Sequence, residues 1–254
     1  MSALFDALPS LVHLAIAFPA FLAGYIILGL VSFGTSLIVA PVLINIMPLS
    51  RIVPLLALLD CVATTANGVR LSSKVAVREL VAMLPVMVLG SLLGAYLLLN
   101  LPAKPLMAAL GLFLVGNALY TFFGKPSDRV IAQGWVVPLG FLGGVCSALF
   151  GSGGPLYATY FSRRLHEPDA LRATQSVLLS MATFTRAVIF ALAGVYSDFK
   201  IVLLAICLLP AMVLGMWIGE RITLRLTREQ FLRVLHSVLL LAGITLCLRA
   251  LASG

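Results

Sequence analysis

Two ionisable side chains stand in the middle of long apolar runs, Asp60 within residues 52–69 and Arg186 within residues 173–196. A charge inside a bilayer core is costly enough to imply a function or a partner. A guanidinium carries permanent charge and planar donors that match an oxyanion, so Arg186 is a candidate for holding one. Asp60 is then its counter-charge, or the carrier of a coupling proton. The competing reading is an Asp60–Arg186 ion pair that merely neutralises both groups. The two readings coexist if a ligand competes for the arginine.

A second kind of chemistry lies where apolar runs are interrupted. The stretch Ala148-Leu-Phe-Gly-Ser-Gly-Gly-Pro-Leu-Tyr157 places three glycines, a serine and a proline in a segment otherwise fit for lipid. A helix broken there exposes backbone N–H groups that lipid cannot satisfy, whereas a bound anion can, aided by the helix dipole. Gly151, Ser152, Gly153 and Gly154 let backbone approach a ligand closely, and Pro155 suits the first turn of a returning half-helix. Gly34, Thr35 and Ser36 repeat the pattern near the start of the chain. Packing kinks without a ligand are the alternative. Gln175, with Asn67, Thr64, Thr65, Thr174, Ser176 and Thr183, could line a path, although hydroxyls in membrane helices often bond back to the preceding turn.

The elements that must position these residues are membrane helices. Hydrophobic residues make up 61% of the 254 and charged residues only 10%, and mean hydropathy is +1.12. That balance is far from the roughly 25% charged residues of soluble domains and specifies an integral membrane protein in a lipid bilayer. Lys and Arg exceed Asp and Glu, 17 against 9, an excess that marks cytoplasmic loops, and no basic patch with interleaved aromatics points to nucleic acid. The four cysteines form no CxxC or Cys/His cluster, so no metal, disulfide or other cofactor is expected. The first residues lack the charged n-region of a secretory signal and are read as mature chain.

A span needs roughly 20 apolar residues. Residues 52–69, 77–99, 106–123, 173–196, 201–219 and 231–251 meet that length, while 11–48 and 135–161 are interrupted at the two glycine-bearing breaks. Those breaks align in an internal repeat, Phe33-Gly34 with Phe150-Gly151, and Leu84-Pro-Val-Met-Val-Leu-Gly90 with Leu209-Pro-Ala-Met-Val-Leu-Gly215. Gly94 and Gly219 complete an LPxMVLGxxxG motif in each copy, the small-residue spacing of helix packing. The expected organisation is a first repeat over 1–123, a cytoplasmic linker at 124–134 and a second repeat over 135–254. Placing the loops around Lys74, Lys125, Arg164 and Arg221 on the cytoplasmic side makes 135–161 a re-entrant hairpin. The expected fold is therefore all-α, with two inverted repeats, each a broken-helix hairpin plus three spans.

The residues Gly29-Leu-Val-Ser-Phe-Gly-Thr-Ser-Leu-Ile-Val-Ala-Pro41 and Gly140-Phe-Leu-Gly-Gly-Val-Cys-Ser-Ala-Leu-Phe-Gly-Ser-Gly-Gly-Pro155 resemble the paired glycine-rich motifs of the TauE/SafE family of membrane permeases. The resemblance covers nearly the whole chain, though the family's Gly-Gly-Gly run is Ser32-Phe33-Gly34 here. It implies transport of small sulfur-containing anions such as sulfite, thiosulfate or sulfonates across a bacterial inner membrane, with proton or sodium coupling open. An intramembrane hydrolase would need a Ser/His pair, paired aspartates or HExxH, and none is present, so no enzyme is expected. An anion channel and a non-transporting assembly subunit are the alternatives.

Overall fold

The computed structural model describes residues 11–31, 35–44, 46–70, 74–123, 131–165 and 167–222, and among them every regular element is a helix. In chain order these are α1 (Leu11–Val31), α2 (Thr35–Leu43), α3 (Leu49–Arg70), α4 (Val77–Asn100), α5 (Ala103–Phe123), α6 (Val136–Phe150, preceded by a 3-10 turn at Gln133–Trp135), α7 (Gly154–Ser162), α8 (Pro168–Leu192) and α9 (Phe199–Ile222). Among the described residues, four stretches are long and apolar enough to cross a membrane: Val77–Asn100, Gln133–Phe150, Asp169–Leu192 and Phe199–Gly219. The expected span at 231–251 lies outside the described residues. The protein is thus an all-α, multi-pass membrane protein, with large apolar side chains such as Leu89, Tyr96, Leu192 and Trp217 on its outer surface, as lipid contact requires.

Both expected interruptions are helix breaks. α6 ends at Phe150, and Gly151 takes the left-handed conformation, φ 71°, that closes a helix. Its N–H donates to the Ser147 carbonyl at 2.9 Å. The chain then turns back, so that Gly153 lies against the Gly143 carbonyl and the Tyr157 ring covers Gly143. Farther along, Arg164 Nη1 donates to the Ile131 carbonyl at 3.3 Å. Residues 131–165 therefore form a hairpin whose two ends meet. In the other half, α2 turns back onto α1, with Thr35 and Val39 packed on Gly24. Residues 32–34 of that first break lie outside the described residues.

The two LPxMVLGxxxG motifs dock across the halves. Gly90 and Gly94 on α4 bring its backbone against the carbonyls of Phe141 and Val145 on α6. Gly215 and Gly219 on α9 meet the carbonyls of Leu22 and Ile26 on α1 in the same manner. Both pairs run parallel, because residue numbers rise together along each contact. Without a hydrophobic drive between helices in lipid, such close backbone approach supplies the dispersion contact that holds them. Between these two packed pairs, α3 crosses α8 in antiparallel sense, Thr64 opposite Thr183 and Asp60 opposite Arg186. Phe21, Leu55, Leu56, Leu98, Phe150 and Leu208 belong to one apolar core around the crossing.

Residues 173–196 were expected as one span, and the helix runs instead from Pro168 to Leu192. Pro168 suits a first helical position, and Gly194, at φ 74°, ends the helix before Tyr196. Gly90→Ala and Gly215→Ala should each lower the melting temperature in detergent, since overpacking a close contact costs about 1–3 kcal/mol. Gly116→Ala, where a methyl meets open space, should leave it unchanged or raise it slightly. Equal melting for all three would contradict the docking.

Candidate functional site

The two helix breaks meet. A methyl added at Gly151 would stand 2.7 Å from Ser36 Cβ and 3.1 Å from Arg186 Nη1, so the break of the second half touches the returning helix of the first, with the arginine beside both. Thr35 and Ser36 occupy the first turn of α2 and Gly154 the first position of α7, which aims two half-helix N-termini at this junction. Gly34 lies outside the described residues. A small cavity of about 30 Å³ opens here, lined by Leu28, Thr35, Asp60, Thr64, Ser147, Gly151, Ser152, Gly153, Gly154, Leu179, Ala182, Thr183 and Arg186. That is room for a water-sized group. Ser36 stands behind Gly151 rather than on the cavity wall.

Arg186 is fully buried. Its Nη2 donates to Asp60 Oδ2 at 3.1 Å and its Nη1 to the Ser147 carbonyl at 2.8 Å. Nε has no partner among the described residues. The sequence-level ion pair is therefore present, and it leaves the arginine short of full satisfaction. Asp60 accepts on its other oxygen from the Tyr25 hydroxyl at 3.0 Å. Thr35 lies beside the carboxylate without closing a bond of ordinary geometry. The Ser152 and Ser36 hydroxyls, both buried, also lack partners among the described residues. Buried polar groups are normally satisfied, because each unmade bond costs about 1–3 kcal/mol. Their concentration around one cation is what a site for a small anion with several acceptor oxygens requires.

Other expected residues fall elsewhere. Gln175 sits on α8 eleven positions before Arg186, about 16 Å along the helix, and does not reach the cavity. Thr65 bonds back to the Cys61 carbonyl at 2.5 Å, and Thr174 accepts from the Ala76 N–H at 2.9 Å. Both are structural. Thr64 and Thr183 do reach the cavity, their hydroxyls 2.9 Å apart where α3 crosses α8. Sequence reasoning missed Tyr25, which belongs to a different helix from Asp60 and shares no spacing with it. Ahead of α4, the Asp169 carboxylate raises the pKa of the Lys74 ammonium, tying the approach to α4 to the first turn of α8.

A sequence profile of the family described as Sulfite exporter TauE/SafE matches residues 16–246. A curated relative, the "Probable inner membrane transporter protein TsaS" of Comamonas testosteroni, is 27% identical over 194 residues, 76% of this chain and 81% of the relative. No solved structure matches the chain.

The contact between the breaks makes a specific prediction. Gly151→Ala should destabilise the protein by about 1–3 kcal/mol, from its positive φ and its collision with Ser36 and Arg186. Adding Ser36→Gly should recover part of that loss, read as a double-mutant cycle on thermal unfolding. If the two effects simply add, the breaks do not touch.

Proposed function

Because the chain belongs to the sulfite exporter TauE/SafE family of membrane transporters, we propose that it carries small sulfur-containing anions across a bacterial inner membrane, binding them at the junction of the two helix breaks. The observation that carries this reading is a fully buried arginine, incompletely satisfied, at the meeting point of two half-helix N-termini. Such termini with a guanidinium favour an oxyanion. Gly151, Ser152, Gly153 and Gly154 from one half, with Gly34 and Thr35 from the other, would surround the anion, Ser36 would back Gly151, and Arg186 would neutralise the charge. The relative's name, an inner membrane transporter, supports the location.

The proposed topology is two inverted copies, 1–123 and 135–254, joined by a linker at 124–134. The antiparallel crossing of the equivalent helices α3 and α8 supports inversion, since copies related by an axis along the membrane normal would cross in parallel. The site then lies near the bilayer midplane, where two mirrored arrangements of one packing give alternate access.

Asp60 sets the coupling. An anion that takes Arg186 leaves Asp60 with only Tyr25 and the nearby Thr35, and an uncompensated buried carboxylate costs several kcal/mol, about 3–5 where one partner of such a pair is removed. Protonation of Asp60 relieves that cost. Inside-negative potential drives a lone anion outward by about 2.3 kcal/mol per charge per 100 mV, so a proton moving with the anion decides the direction and voltage dependence of transport.

The test is radiolabelled flux into proteoliposomes with sulfite, thiosulfate, a small sulfonate and sulfate, with and without a pH gradient. Saturable flux of a sulfur anion is expected. Arg186→Gln should reduce it about 100-fold, the worth of a charge-assisted hold of about 3 kcal/mol, while Asp60→Asn should abolish its response to the pH gradient. Normal flux by the Arg186 variant would sink the proposal.

A further inference from the structure

A second polar cluster, at the open end of the α6–α7 hairpin, takes no part in the anion site. Glu79, in the first turn of α4, is 7% exposed and has both carboxylate oxygens engaged. Oε2 accepts from the Tyr160 hydroxyl at 2.6 Å, and Oε1 from Arg164 Nη2 at 2.6 Å. Arg164 also donates to the Ile131 carbonyl ahead of α6. One carboxylate thus fastens the last turn of α7, the start of α4 and the approach to α6. We propose that Glu79, Tyr160 and Arg164 form a latch that holds the α6–α7 hairpin closed over the site on one face of the membrane.

Three observations support a latch over a fixed strut. First, α7 spans the distance between the two clusters in nine residues: Gly154 at its start lines the cavity, and Tyr160 near its end is held by Glu79. Release at one end frees a wall of the site at the other.

Second, the pair sits at the rim. The Arg164 and Glu79 side chains are 22% and 10% exposed, against 0% and 6% for Arg186 and Asp60. Separating Asp60 from Arg186 strands two charges in the interior, whereas Arg164, the more exposed partner at the rim, can swing toward water, so parting this pair strands less charge. The bond to Glu79 raises the pKa of the Arg164 guanidinium, and a guanidinium stays charged without such a bond as well.

Third, the internal repeat lacks the same groups on the other side. By the alignment of the breaks and of the LPxMVLG motifs, the positions of Tyr160, Arg164 and Glu79 correspond to Leu43, Met47 and Leu204. Leu43 and Leu204 are buried in one apolar cluster, and Met47 packs against it. One mouth is therefore sealed by charge-assisted bonds and the other by apolar packing. Around Arg51 and Asp198, on the opposite face, the ion pair is looser at 3.5 Å and largely exposed.

The latch rests on the site reading only for what it covers, and its test needs no substrate. In the full chain with its four native cysteines replaced by alanine, a reporter cysteine at Ser152 is labelled by a membrane-impermeant maleimide in vesicles of known orientation. Glu79→Gln should raise the labelling rate from the Glu79 face about fivefold, and Tyr160→Phe less, with the opposite face unchanged. The tyrosine variant, which removes one hydroxyl, carries the same test if the glutamine variant does not fold. Rates unchanged in both, or raised equally from both faces, would overturn the latch. A changed rate in a protein that moves no sulfur anion would keep the latch and overturn the substrate.

Discussion

The cost of placing a charge where there is no water governs the centre of this molecule. Arg186 is wholly buried, and Asp60, Tyr25 and the Ser147 carbonyl are arranged to offset that cost. The pair joins α3 to α8, the crossing around which both halves pack, so the electrostatic centre and the architectural centre coincide. A buried ion pair is weak evidence for stability as such, since apolar side chains of similar volume serve as well or better. Its location between two broken helices gives the better reason for its presence.

Close backbone packing makes the breaks possible. A helix that breaks in the membrane interior leaves carbonyls unpaired where one half ends and N–H groups unpaired where the next begins, which lipid punishes. The glycines of α4 and α9 press those helices directly onto α6 and α1, the long arms of the two hairpins, and shield them from lipid. Each half thus clasps the hairpin of the other. The site at the junction is held by helices rather than by loops, which fixes Arg186 relative to Gly151 and Ser36.

Much of this was legible in the sequence where chemistry is rare enough to stand out. Charged residues inside apolar runs are costly, so Asp60 and Arg186 drew attention, and they pair. Glycines at matching places in two apolar segments marked the breaks and the packing motifs. Less legible was anything depending on which helices meet. Tyr25 and Asp60, or Glu79 and Tyr160, are 35 and 81 residues apart, and nothing local in the sequence links them. Gln175 reads in the sequence as one of the polar residues lining a path, yet its turn of α8 lies too far from the crossing. The end of α8 at Leu192 turned on the conformation of Gly194, which hydropathy does not register.

The central claim is that Asp60 holds Arg186 in the place an anion would take. Equilibrium binding of sulfite to the purified protein and to Asp60→Asn tests this most directly, because binding is separated from coupling and from gating. With the internal competitor removed, the variant should bind sulfite more tightly than the parent. Weaker or equal binding would contradict the account and leave Asp60 and Arg186 as a structural pair.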